Sequence, residues 1–564
     1  MKKKSILFTV PAFLIYTVLM IIPIAGAFLL SFTDWNGISA AYNTVGFKNY
    51  VDMLSDERLR NAIFVTLKIT AVVAVTVNVL GLFIAMLLNR AKRLTNVFRS
   101  IFFLPYVLST VAISFIWLAI LSYTGVLNSL LEMFGMGNLA ADYIGNAKNA
   151  IRSICVIEIW RMLGFHMVLY LASIQTVPRE LYEACIMDGG NRWQQFRYIT
   201  IPMIIPGITI SVIMSIMTEM KQYDIVKVIT NGGPGYSTET VTYNIVTQAF
   251  GNNMLGYSSA IAVFLFLIIA AVSILQLQLE TGGILKMNMK NRKTSASSII
   301  LKIFLVILAV IFATPLYITL INIFKNTKEI SSSPMSFPLP PILDNIIKVI
   351  KNPNVNLGEM YFNSLCITIF GALICILVSA LAGYYLARMK SKLSQGIYIY
   401  FLLGLMVPYA IVYVPLVSIF KGIGLVGNLP GLIMVFVSGS ISFSVFMYQG
   451  FIKSTPVELE EAAIIDGAGQ LKIFTAVIFP LVKPCTTTVA IFIGLSMWND
   501  FLTPLLIGQI KTITVGIYTA IGPYASDWGS VFAYVMFATL PIVIAYLLAQ
   551  RQFIEGLTAG ALKG

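Results

Sequence analysis

Apolar residues along this chain fall in long runs, without the strict alternation of a half-buried strand or the spaced stripe of a surface helix. The runs recur at about 6–30, 62–88, 101–121, 151–171, 204–222 and 260–277. A second series follows at about 299–324, 361–386, 397–420, 429–447, 485–504 and 531–549. A helical crossing of a bilayer needs roughly 20 apolar residues, so the pattern predicts six spans and then six more. Charge interrupts the fifth run of each series, at Glu219 and Lys221 in the first and at Trp498-Asn499-Asp500 in the second. The first run follows Met1-Lys2-Lys3-Lys4 as a secretory leader would. Its length, and the lack of a small-residue cleavage site before Ser31-Phe32-Thr33-Asp34-Trp35, identify it as a retained span.

Composition agrees with this reading. Of 564 residues, 58% are hydrophobic and 11% charged, against roughly 25% charged in soluble domains, which excludes a water-soluble enzyme. The formal net charge of +14 is scattered between apolar runs and not gathered on one face, so it implies membrane lipids and no nucleic acid. Lys and Arg favour the cytoplasmic side of short loops. Arg90-Ala91-Lys92-Arg93, Lys290-Asn291-Arg292-Lys293 and Arg388-Met389-Lys390-Ser391-Lys392 then place both termini in the cytoplasm of a multi-pass protein of a prokaryotic plasma membrane. Five cysteines (Cys155, Cys185, Cys366, Cys375, Cys485) and the single His166 offer neither a disulfide framework nor metal-ligand spacing. No catalytic set and no metal site is expected.

A basic, methionine-containing stretch precedes the seventh apolar run, as at the start of a second polypeptide. The expected organisation is a first half over 1–286, a linker over 287–298 and a second half over 299–564. Pro178-Arg179-Glu180-Leu181-Tyr182-Glu183-Ala184-Cys185-Ile186-Met187-Asp188-Gly189 reappears 278 residues later. The second copy reads Pro456-Val457-Glu458-Leu459-Glu460-Glu461-Ala462-Ala463-Ile464-Ile465-Asp466-Gly467. The register persists through Phe196 and Phe474, Pro202 and Pro480, and Pro206 and Pro484. Each copy lies between its half's fourth and fifth spans, in loops at about 174–203 and 452–481. The stretch reads as a short amphipathic helix with carboxylates in its first turns, where the helix dipole favours them. Glycines then permit a sharp turn, and a proline marks the return to the bilayer. Two such knobs at matched positions suit a socket on a cytoplasmic partner.

The repeat resembles the signature of the membrane subunits of binding-protein-dependent ABC importers: Glu-Ala-Ala, three residues, Gly, nine residues, Ile-x-Leu-Pro. The copies here are Glu183-Ala184-Cys185, Gly189, Ile199-x-Ile201-Pro202, and Glu461-Ala462-Ala463, Gly467, Val477-x-Phe479-Pro480. Thr230-Asn231-Gly232-Gly233-Pro234 is similar to the outer loop of a maltose-type first permease. Trp498-Asn499-Asp500-Phe501-Leu502 and the tail Phe553 to Gly564 are similar to the second. The resemblance implies an all-α integral membrane protein of about twelve helices, two parallel six-helix halves of the type I ABC importer permease fold. It implies the pore of a sugar or oligosaccharide importer working by alternating access, with two cytoplasmic ABC ATPase subunits and an extracellular or periplasmic solute-binding protein as partners. Contacts to the ATPases would come from Glu183, Ala184, Asp188, Gly189 and Pro202, and from Glu461, Ala462, Asp466, Gly467 and Pro480. No Gly-Lys dipeptide occurs in the sequence, so no phosphate-binding loop of that type exists. This chain is expected to bind no cofactor, with ATP and Mg held by the partner subunits.

Glu158 and Arg161 are three apart and can pair on one helix face. Ser215, Glu219 and Gln222 form a single helical stripe. By the maltose-type resemblance Arg161, Met162, Phe165, Ser215, Glu219 and Gln222 fall where sugar is contacted. The asymmetry of this stripe between the halves argues for a neutral or weakly polar oligosaccharide, recognised mainly by the first half. A twelve-span ion-coupled secondary transporter is the alternative, although two matched cytoplasmic knobs would serve no purpose in one.

Overall fold

A computed structural model describes residues 4–39, 41–90, 95–281, 298–522 and 527–561. The described residues are helical apart from turns and one isolated bridge between Thr33 and Thr44. Among the described residues nine helices are long and apolar enough to cross a membrane, and counting each of three bent pairs as one span raises the number to 12, six in each half as the apolar runs predict. The first half contributes Ile6–Leu30, Glu57–Asn89, Thr110–Met133, Ala147–Gln175, the bent pair Arg192–Met203 and Ile205–Met220, and Leu255–Val272. The second contributes Ile303–Asn322, Leu357–Arg388, the pair Lys392–Met406 and Tyr409–Gly422, Leu429–Lys453, the pair Gln470–Leu481 and Lys483–Asn499, and Trp528–Gln550. The expected linker lies outside the described residues, save Ser298, where the next helix begins. Residues 91–93 and 290–293 of the basic clusters lie outside them as well.

The third spans are not the single helices that their apolar runs suggest. In the second half the chain turns by 99° between Met406 and Tyr409. Pro408 accounts for this: the residue before a proline is pushed out of the helical region, and Val407 is extended. In the first half helix Thr95–Val107 stops, and a new helix begins at Thr110. Its first turn is capped by Ser109, whose hydroxyl accepts from the Ala112 amide at 3.1 Å. Hydropathy runs through both breaks, so capping and proline chemistry alone mark them.

The first span of each half packs on the other half. Tyr16 lies edge-on to Tyr400 at 5.2 Å, and the Thr17 hydroxyl shares a 2.7 Å hydrogen bond with the Tyr400 hydroxyl. Reciprocally, the Trp160 indole donates to the Phe312 carbonyl at 3.0 Å, and Phe102 packs on Phe312 at 5.0 Å. The Asn499 side chain donates to the Val107 carbonyl at 2.8 Å, joining the fifth span of the second half to the third-span break of the first. The two halves clasp one another around a shared interior.

Candidate functional site

The 278-residue repeat is also a structural repeat. Helices Arg179–Met187 and Glu458–Ile465 each end at a glycine with positive φ, +77° at Gly189 and +78° at Gly467. Only glycine adopts that conformation without strain. The next amide reaches back five residues in both copies, Gly190 to the Cys185 carbonyl at 2.7 Å and Ala468 to the Ala463 carbonyl at 2.9 Å, closing the helix end. The pairs exchange volume: a Cβ on Gly190 would sit 2.3 Å from the Cys185 Sγ, whereas Ala468 faces the smaller Ala463.

Past the turn, both copies widen into a π-helical turn, Phe196–Thr200 and Phe474–Ile478. The cause is the proline that follows. Pro202 and Pro480 lack a donor, and their rings crowd the carbonyl four residues back; the wider turn relieves both defects. The chain then bends by 68° at Ile204 and by 76° at Val482 into the fifth spans. The match continues to the far ends of these spans. There the Thr240 hydroxyl donates to the Gln222 carbonyl and the Thr514 hydroxyl to the Asp500 carbonyl.

On the paired helices Glu183, Ala184, Asp188, Glu461, Ala462 and Asp466 are exposed, as are Pro202 and Pro480. Beside them Met187 is 87% exposed and Ile465 85%. Each helix thus offers an exposed apolar tip beside exposed carboxylates. The attachment to the bundle differs between copies. Glu460 is buried and accepts from Arg388 at 2.6 Å and from the Tyr384 hydroxyl at 2.9 Å. At the repeat-matched position Tyr182 bonds the Thr200 hydroxyl at 3.0 Å. Sequence reasoning passed over Glu460, because the internal repeat aligns it with a tyrosine.

Inside the bundle the candidate substrate residues divide into groups. Arg161 pairs with Glu158 at 2.7 Å, and Gln222 donates to the other Glu158 oxygen. Glu219 is 1% exposed, and neither of its carboxyl oxygens has a hydrogen-bond partner among the described residues. Ser215 lies one turn away in a separate network, where it accepts from Asn78 at 3.0 Å. Asn78 in turn accepts from Tyr170 at 2.6 Å and from Ser211 at 2.7 Å, and Ser211 shares a hydrogen bond with His166. Met162 is buried, and Phe165 stacks on Tyr106 with ring centroids 4.6 Å apart. Arg161, Glu219 and Gln222 therefore converge with Glu158, while Met162 and Phe165 pack in the wall. Asn78, a polar residue within an apolar run, is the organiser that sequence reasoning missed.

The profile of the family described as "Binding-protein-dependent transport system inner membrane component" matches this chain twice, at residues 77–282 and 376–554. The chain belongs to that family and carries two of its domains, one in each half. It is similar to the probable starch degradation products transport system permease protein AmyC of Thermoanaerobacterium thermosulfurigenes, 34% identical over 275 residues, 48% of this chain and 99% of that protein. It is likewise similar to AmyD of the same organism, 33% identical over 273 residues, 48% of this chain and 92% of that one. The multiple sugar-binding transport system permease protein MsmG of Streptococcus mutans is 34% identical over 261 residues, 45% of this chain and 93% of that protein. A bacterial ABC transporter involved in the import of the acidic polysaccharide alginate has a chain 19% identical with a TM-score of 0.43, covering 48% of this chain and 92% of that chain. About half of this chain thus accounts for nearly the whole of each relative. Family membership leaves the ion-coupled alternative without support.

Proposed function

We propose that this chain forms the translocation pore of an importer for a sugar or oligosaccharide. A solute-binding protein delivers the substrate from outside, and ATP hydrolysis on two cytoplasmic ATPase subunits drives the cycle. The observation that carries the reading is the pair of exposed helices in structural register, each joined through a proline-widened turn to a bent fifth span. A force applied to such a helix is transmitted to the span that bears Ser215, Glu219 and Gln222 in the first half. The sugar assignment draws on the roles of the relatives in starch-product and multiple-sugar transport. ATP binding draws the paired helices together and opens the pore outward; hydrolysis returns it inward, each state being favoured by the ligands that prefer it. This mechanism places the paired helices and both chain ends in the cytoplasm. Glu219 and Gln222 offer oxygen and amide partners to sugar hydroxyls, and a carboxylate there disfavours phosphorylated sugars.

The test is co-purification of the chain, in mild detergent, with the ATPase encoded by its own host. The wild-type chain is expected to retain the ATPase. The double variant Glu183→Lys/Glu461→Lys is expected to insert normally and lose it. Undiminished ATPase retention and transport in that variant would overturn the docking role.

A further inference from the structure

The two paired helices are fastened to the bundle by different means, and the difference exposes a second site. Helix Glu458–Ile465 is held by the buried Glu460 between Arg388 and Tyr384. The first half places Tyr182 at the matched position and supplies no carboxylate there. In its place lies a cleft of about 900 Å³ between the bundle end and helix Arg179–Met187, lined by Asn89, Asn96, Arg99, Arg179 and Tyr182 among others. An adjoining cavity of about 200 Å³ shares Asn89 and Tyr182 and adds Arg192. None of the described residues lining either space is acidic.

Arg99 is the decisive group. It is only 9% exposed, and its Nε has no hydrogen-bond partner among the described residues. A buried guanidinium without a counter-charge is unfavourable, and the described lining residues offer Arg99 no carboxylate. The guanidinium fork matches the oxygens of a phosphate group two at a time. The cleft volume falls in the range of about 300–1,000 Å³ typical of small-molecule sites.

We propose that this cleft binds a phosphate-bearing anion through Arg99 and Arg179. The anion supplies to the first paired helix the negative charge that Glu460 supplies to the second. Its source is either a soluble phosphate ester or the headgroup of an anionic lipid, since the cleft opens at the end of the bundle. Any effect of the anion on coupling rests on the importer reading; the binding itself does not.

The experiment uses the full chain in phosphatidylcholine nanodiscs, titrated with inorganic phosphate and with glucose 6-phosphate by isothermal calorimetry. A parallel arm measures retention of phosphatidylglycerol on the detergent-solubilised chain by native mass spectrometry. Binding of either soluble probe, or retention of the lipid alone, supports the site and identifies its source. In the supported case Arg99→Gln/Arg179→Gln weakens binding at least tenfold, with unchanged gel-filtration behaviour, while Arg99→Lys weakens it less. If none of the probes binds with a Kd below about 10 mM, or if the double Gln variant binds as the wild type does, the proposal is overturned. Neither arm requires an ATPase or a sugar, so failure of the importer reading would leave this result standing.

Discussion

Glu219 sits among the spans with both carboxyl oxygens unbonded among the described residues, one turn from a Gln222 that is already engaged with Glu158. Leaving a buried polar group unpaired costs about 1–3 kcal/mol, and more if it is charged. A residue that costs stability in the empty protein and lies beside a polar cluster is placed to bind something else. The isosteric Glu219→Gln variant is therefore expected to move two measurements in opposite directions. Thermal unfolding in detergent shifts upward, because a buried carboxyl group without a hydrogen-bond partner among the described residues is removed. Sugar uptake below saturation falls about tenfold, because one charge-assisted hydrogen bond contributes roughly 1.5–3 kcal/mol. Reduced stability together with normal uptake would return Glu219 to a packing role. The helical stripe of Ser215, Glu219 and Gln222 was legible in the sequence. Its division was not, because Asn78 reaches Ser215 from a helix more than a hundred residues away. No spacing rule joins the two.

At the scale of elements, matching sequence produced matching geometry with unequal attachment. The helix-ending glycines, the widened turns and the bends at Ile204 and Val482 follow from residues that recur at one offset, and the sequence exposes all of them. What recurrence conceals is the position where the copies differ. Breaking a buried ion pair from one side costs about 3–5 kcal/mol at full burial, and the Arg388 and Glu460 side chains are 12% and 9% exposed, close to that limit. Glu460→Gln is expected to loosen helix Glu458–Ile465 and leave helix Arg179–Met187 as it was. Hydrogen exchange should show faster labelling of amides 458–465 only, and the charge-reversed pair Arg388→Glu/Glu460→Arg should recover part of the protection. Equal acceleration in both helices would mean that the ion pair holds the whole bundle end and not one helix. The third-span breaks escaped the sequence for a related reason. Hydropathy records solubility in lipid, whereas Pro408 and the Ser109 cap act on backbone conformation.

For the whole molecule, six spans followed by six were readable from apolar runs, but the way the halves embrace was not. Packing of Tyr16 on Tyr400 and of Trp160 on Phe312 joins residues hundreds of positions apart, and equally apolar faces would pack on either half. The relatives bear on this arrangement, since each is matched nearly entire by about half of this chain. Each of these relatives is a separate polypeptide of about half this length, so a domain of this kind exists without a covalent join like the one between residues 281 and 298. The reciprocal first spans supply the association here: each is lodged against the opposite half, and separation would strip both from their packing partners. Within a bilayer such packing is the main source of helix association, because lipid tails and apolar side chains offer little hydrophobic difference. Co-expression of 1–286 and 287–564 as two chains is therefore expected to yield a complex that co-purifies through a tag on either part and transports at a rate within about threefold of the fused protein, a difference of less than 1 kcal/mol. Deleting residues 1–30 from the first part should abolish co-purification, because the clasp of Tyr16 and Thr17 on Tyr400 goes with it. If the split halves separate while residues 1–30 are present, the covalent join is the primary connection and the swapped spans are secondary.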